Sequence, residues 1–312
     1  MISSTIIASV AVALAGPAML QVLAFAPPAS PDNAVVRDIA VAPGETLRTT
    51  SIGEGEPVVL IPGMFGAAFG YRAVIRPLAA QGYRCIVVEP LGYGWSSHPK
   101  KADYSFAAQT ARVSEALDSL GVTRALLVAQ SSGASIAFRL AVARPALVRG
   151  VLSIDGGPAE SPSTPGMRKA FKLGGFVAKL AMDESKLRHD VRREIVRNSG
   201  DTTWITDDVI RQYTAGQTAD ISGSIDAFER MSKSTHPEPL DDRLHGFSGP
   251  VRLLVGGVEH PAEVPDEQRE LLRDRLPDFA ADTVPGSGQY ISEEQPNVVV
   301  DAVAKLRRAA GE

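Results

Sequence analysis

A serine with small neighbours sits where one apolar run ends and a helix-like run begins: in LLVAQSSGASIA, Ser131 follows Ala129 by two residues and precedes Gly133 by two. At a sharp strand-to-helix turn a serine hydroxyl stands clear of the backbone as a nucleophile, and the flanking residues must be small because strand and helix approach closely there. Attack by serine also needs a base to take its proton and a carboxylate to orient that base. The chain has 5 histidines, His98, His189, His236, His245 and His260, and their spacing does not suggest a metal site. His98, after the YRCIVVEP run, and His260, after VRLLVGG, are the two that follow strand-like runs and so reach the edge where a strand-borne serine would act.

Composition narrows the partners. With 32 basic and 36 acidic residues and a net charge of −4, and without a basic run interleaved with aromatics, the chain lacks the electrostatic footprint of a nucleic-acid-binding protein. Cys85 is the only cysteine, which excludes an intrachain disulfide and a thiolate metal cluster; inside YRCIVVEP it reads as a buried strand residue. No side chain from Met1 to Pro31 is charged, and Ile6 to Ala26 is apolar enough for a signal sequence or membrane anchor. Export or membrane attachment is the expectation from this segment, with a cytoplasmic protein as the other reading. Pro-rich APPASPD then reads as an extended spacer.

The elements that must position Ser131 follow from the hydrophobic rhythm. VVRDIAV, LRTTSIG, PVVLIPG, RCIVVEP, RALLVAQ and GVLSIDG read as strands, and YRAVIRPLAAQG, FAAQTARVSEALDSLGV and GASIAFRLAVAR as helices. Short doubly apolar strands alternating with helices predict an α/β domain: a mainly parallel sheet covered on both faces. From 158 to 249 the rhythm gives way to helical segments, MRKAFKLGGFVAKLA, ESKLRHDVRREIVRN, DDVIRQYTAG and SIDAFERMSK, read as an inserted cap. Strand and helix alternate again in VRLLVGG, DEQRELLRDRL, FAADTVPG and PNVVVDAVAKLRRA. The expected organisation is therefore a segment and spacer at 1–33, a core of 34–157 and 250–312, and a cap at 158–249.

Four motifs in order, LIPGMFG (Leu60–Gly66), EPLGYGWSSHP (Glu89–Pro99), AQSSGA (Ala129–Ala134) and GSGQYISEEQP (Gly286–Pro296), give the chain a resemblance to the α/β-hydrolase family over nearly everything after residue 35. That resemblance implies a serine hydrolase, of esterase or lactonase type, acting on a small apolar ester or lactone without a cofactor. It makes Ser131 the nucleophile and assigns the backbone N–H groups of Met64 and Ser132 to an oxyanion hole. Pro62-Gly63 stands where the family has His-Gly, a change that leaves backbone donors in place. Glu89 replaces the family's Asp in a loop whose role reads as structural. For the triad acid the resemblance points to Glu259, with Asp155 as the alternative.

The same alignment puts Gln289 where the family presents its histidine. A glutamine amide hydrogen-bonds a hydroxyl but does not take up and return a proton near neutral pH. The expectation is a hydrolase that is weak or inactive as written, or a non-hydrolytic, ligand-binding member of the fold, unless His260 or His98 serves in place of the missing base.

Overall fold

The computed structural model describes residues 33–162, 182–234 and 239–311. The segment up to Pro31 and its spacer, all of MRKAFKLGGFVAKLA, and His236 fall outside the described residues. Eight strands form one sheet: β1 (Val35–Ala42), β2 (Glu45–Ile52), β3 (Glu56–Ile61), β4 (Tyr83–Val88), β5 (Ala125–Gln130), β6 (Val148–Ile154), β7 (Val251–Gly256) and β8 (Phe279–Val284). Their spatial order is β1-β2-β4-β3-β5-β6-β7-β8. The pairings of β2 with β1 and β4 are antiparallel, and every other pairing is parallel.

Period-2 alternation inside the apolar strands supplies two cores at once. Val58 and Leu60 of β3, with Leu126 and Val128 of β5, face the helices α1 (Arg72–Ala80) and α9 (Pro296–Ala309), where Val74, Leu78, Val299 and Val303 meet them. Their neighbours Val59, Ile61, Leu127 and Ala129 point to the opposite face, covered by α2 (Phe106–Ser119) and α3 (Ser132–Ala143) through Val113, Leu117, Ile136 and Leu140. Each fully buried aliphatic side chain contributes about 1.5–3 kcal/mol relative to exposure, so a doubly covered strand is strongly fixed in register. Cys85 lies in this core and burial pushes its thiol up to about 12, out of reach of thiolate chemistry.

Between β6 and β7 the described residues carry α4 (Glu184–Arg197), α5 (Asp207–Ala219) and α6 (Ile221–Lys233), and no strand. Asp183, Thr206 and Asp220 start these helices by accepting from the amides of Lys186, Val209 and Gly223. Leu187, Val191, Ile195, Ile210 and Tyr213 form their own small core, and Trp204 beside it packs on Tyr290 with ring centroids 5.6 Å apart. That contact joins the insertion to the loop after β8, beyond which lie α7 (Asp266–Arg275) in the β7–β8 connection and the one-turn α8 (Ile291–Glu294) ahead of α9.

Candidate active site

Ser131 is the hinge between β5 and α3, with φ 49° and ψ −123°. A non-glycine residue in this region is strained and persists only where its surroundings over-determine it. Here they do: the Ser131 N–H donates to the Ile154 carbonyl at 2.9 Å, and its own carbonyl accepts from Ala134 at 3.0 Å. Three glycines make room. A Cβ on Gly133 would lie 2.5 Å from the Ile61 carbonyl oxygen, one on Gly63 would lie 3.0 Å from the Ser131 Cβ, and one on Gly156 would lie 2.4 Å from the Ser131 carbonyl oxygen. The motif's small residues are thus explained by backbone approach rather than by flexibility.

The structure brings Met64, Ser131 and Ser132 together. The Met64 N–H donates to Oγ of Ser132 at 2.8 Å, and the hydroxyl of Tyr93 lies 3.3 Å from the same oxygen. Burial pushes the Tyr93 phenol up to about 12, so it stays a protonated donor at neutral pH. The amide of Ser132 belongs to the first turn of α3 and has no intrahelical acceptor. In this conformation the Met64 amide is thus occupied by the Ser132 hydroxyl.

Glu89 is buried and acts on loops. Its carboxylate accepts from the Ala68 N–H at 2.8 Å and the Trp95 N–H at 2.6 Å, binding the LIPGMFG loop to the EPLGYGWSSHP loop. Gly94 has φ 49°, and a Cβ there would lie 2.3 Å from the Glu89 carboxylate, so the longer acid fits only beside glycine. His98 turns to the insertion, its Nε2 3.3 Å from Oγ of Ser224 and its Nδ1 3.9 Å from Asp220, and burial lowers its pKa.

Gln289 is buried, and its backbone is held at both ends. Its N–H donates to the Asn198 carbonyl at 2.7 Å, and its carbonyl accepts from Nε2 of Gln130 at 3.2 Å, the residue before Ser131. No hydrogen bond joins its side chain to Ser131. Gly288 is required by crowding, since a Cβ there would sit 2.3 Å from the Asn198 carbonyl oxygen. Glu294 completes the fastening, its carboxylate accepting from the amides of Gly200, Asp201 and Gly288 at 3.1, 3.2 and 3.0 Å.

Of the two acids considered, Glu259 is exposed and makes no hydrogen bond or ion pair among the described residues. Asp155 is buried at the end of β6 with φ 47°, and its Oδ2 lies 2.8 Å from Nε2 of His260. Side-chain exposure is 0% for Asp155 and 1% for His260. Burial opposes charge on the imidazole, but Asp155 outweighs it, with Glu263 and Glu294 adding to the pull, and the His260 pKa is raised. Sequence reading names both residues without joining them. It misses Gln130, Asn198 and Glu294 altogether, although Asn198-Ser199-Gly200 after a helix is a recognisable stop signal.

The sheet order and the helices on both of its faces are those of the α/β-hydrolase fold. A family model described as "alpha/beta hydrolase fold" matches residues 56–204, and this match and the fold support the α/β-hydrolase superfamily. It is 25% identical over 258 residues to the mouse (Mus musculus) sn-1-specific diacylglycerol lipase ABHD11, covering 80% of each chain. Among solved structures it is similar to the epoxide hydrolase CorEH (TM-score 0.73, 21% identity, 88% of this chain and 98% of that one). It is also similar to an N-acyl homoserine lactone degrading enzyme (TM-score 0.67, 20% identity, 86% and 99%).

Proposed function

We propose that the chain is a serine-type carboxylic ester or lactone hydrolase, slow because residue 289 offers no proton acceptor. The observation that carries it is Ser131 itself, kept at a strained φ of 49° beside the amides of Met64 and Ser132. A fold that needed only a turn would relax this residue, whereas a nucleophile gains from the strain. In the reaction the ester carbonyl oxygen displaces the Ser132 hydroxyl from the Met64 N–H, and Oγ of Ser131 attacks the carbonyl carbon. The insertion between β6 and β7, with its helices α4, α5 and α6, serves as the cap that shapes the acyl side. A small apolar ester fits the diacylglycerol lipase activity named for the mouse relative and the lactone-degrading activity named for the structural neighbour. The uncharged apolar run Ile6 to Ala26 supports export or membrane attachment.

Labelling by a fluorophosphonate tests the nucleophile directly. One adduct on Ser131 is expected, located by mass spectrometry, with slow turnover of p-nitrophenyl butyrate that Ser131→Ala removes. An unlabelled Ser131 with no turnover would instead support a non-hydrolytic binding protein, the reading favoured by the hydroxyl already seated on the Met64 amide.

A further inference from the structure

The oxygen that the Met64 N–H holds has a second neighbour. Oγ of Ser132 accepts from that amide at 2.8 Å, and the hydroxyl of Tyr93 lies 3.3 Å from the same oxygen. Among the described residues the phenol makes no other hydrogen bond, although its ring is buried and its loop is tightly held. The Tyr93 N–H donates to the Pro90 carbonyl at 3.0 Å, and the Tyr93 carbonyl accepts from the Ser96 N–H at 2.9 Å. On either side, Glu89 takes the Trp95 N–H at 2.6 Å, and the buried side chain of Gln109 accepts from the Leu91 N–H at 3.0 Å and donates to the Leu91 carbonyl at 2.8 Å. Met64, Ser131 and Ser132 are only half-buried. A turn of the Ser132 side chain to another rotamer therefore lets a ligand oxygen take its place on the Met64 amide, while the phenol facing that place stays fixed. A donor held in advance at the position of an incoming oxygen stabilises developing charge without reorganisation.

We propose that the Tyr93 hydroxyl is a third, side-chain donor to the substrate's carbonyl oxygen, beside the backbone N–H groups of Met64 and Ser132; this rests on the reading of Ser131 as nucleophile. As Oγ of Ser131 bonds to the carbonyl carbon, the π pair moves onto the carbonyl oxygen and the Oγ proton leaves to solvent water. Tyr93 donates a hydrogen bond to the charge that develops on that oxygen. The phenol keeps its own proton throughout, because burial pushes it up to about 12. It takes no proton from Ser131, so turnover stays limited by the missing acceptor at position 289. Within EPLGYGWSSHP, Glu89 thus holds the loop together and Tyr93 turns the same rigid loop to chemical use.

The test measures, on the full chain, the rate at which a fluorophosphonate labels Ser131 and the steady-state hydrolysis of p-nitrophenyl butyrate. The phosphoryl oxygen of the label takes the position of the ester carbonyl oxygen, so labelling reads the donors even where turnover is slow. Tyr93→Phe removes one oxygen from a buried ring. It is expected to lower the labelling rate and kcat about tenfold or more, against the roughly 100- to 1,000-fold that a well-aligned donor is worth. KM within a few fold and an unchanged urea midpoint are expected with it, and a loss carried by KM or by unfolding overturns the inference. The Ser132→Ala background separates donation to substrate from a phenol that merely seats the Ser132 hydroxyl. Adding Tyr93→Phe there is expected to cost the same factor, and equal rates for Ser132→Ala with and without Tyr93→Phe overturn the inference. A Tyr93→Phe chain labelled at the native rate overturns it too, while a Ser131 adduct that Ser131→Ala abolishes leaves the nucleophile standing. A native chain that takes no label on Ser131 overturns both.

Discussion

The side-chain amide of Gln130 donates to the main-chain carbonyl of Gln289 at 3.2 Å, so the loop after β8 is tied to the residue that precedes the elbow serine. This tie uses backbone at 289 and leaves the side chain there replaceable. Gln289→His is therefore expected to fold as the parent does and to raise kcat toward p-nitrophenyl butyrate at least tenfold, since a positioned general base is worth about 100-fold to 10,000-fold. The full loss of a base in a serine protease is larger, roughly a million-fold. Equal rates for parent and variant would show that position 289 does not address Ser131.

Asn198 joins three pieces of chain. Its carbonyl takes the Gln289 N–H, its Oδ1 accepts from the Ala262 N–H at 3.0 Å, and its Nδ2 donates to the Glu194 carbonyl at 2.8 Å. Asn198→Ala keeps the first bond and strands the Ala262 amide. The expected loss is about 1–3 kcal/mol in urea unfolding, the usual cost of an unsatisfied buried donor. An unchanged midpoint and slope would show that water replaces the side chain.

Burial pushes the Glu89 carboxyl up to about 7 from 4.5, against the amides of Ala68 and Trp95, which pull it down. Between those values the folded chain holds a proton that the unfolded chain has released. This group's contribution to stability is therefore complete below about 4.5 and is lost as pH rises through about 7. The slope is at most one proton, about 1.4 kcal/mol per pH unit. Urea unfolding at pH 5, 6, 7 and 8 is expected to show native stability falling relative to Glu89→Gln, whose amide adds a pH-independent cost against the Trp95 N–H. Parallel curves for the two chains would contradict the assignment.

The sequence by itself determined the sheet and the elbow. Alternating apolar residues in PVVLIPG and RALLVAQ already encode a strand buried on both faces, because period 2 sends successive side chains to opposite sides of a sheet. Ala129, Gly133 and the strand-to-helix junction place Ser131, since backbone approach at that turn excludes larger neighbours. Gln289 is equally legible, because its Gly-rich loop precedes a short helix in fixed order. Which acid faces inward was not legible. Glu259 and His260 are adjacent in a loop, and neighbouring side chains there point apart, so only the packed fold decides that Glu259 meets solvent while His260 turns to Asp155. Tertiary structure alone likewise set the Ser132 hydroxyl on the Met64 amide and Asn198 on the Gln289 amide, contacts between segments far apart in the chain. Local propensity fixes φ, ψ and the face of each residue, whereas a hydrogen bond across the sheet's edge depends on where the ends of separate strands come to rest.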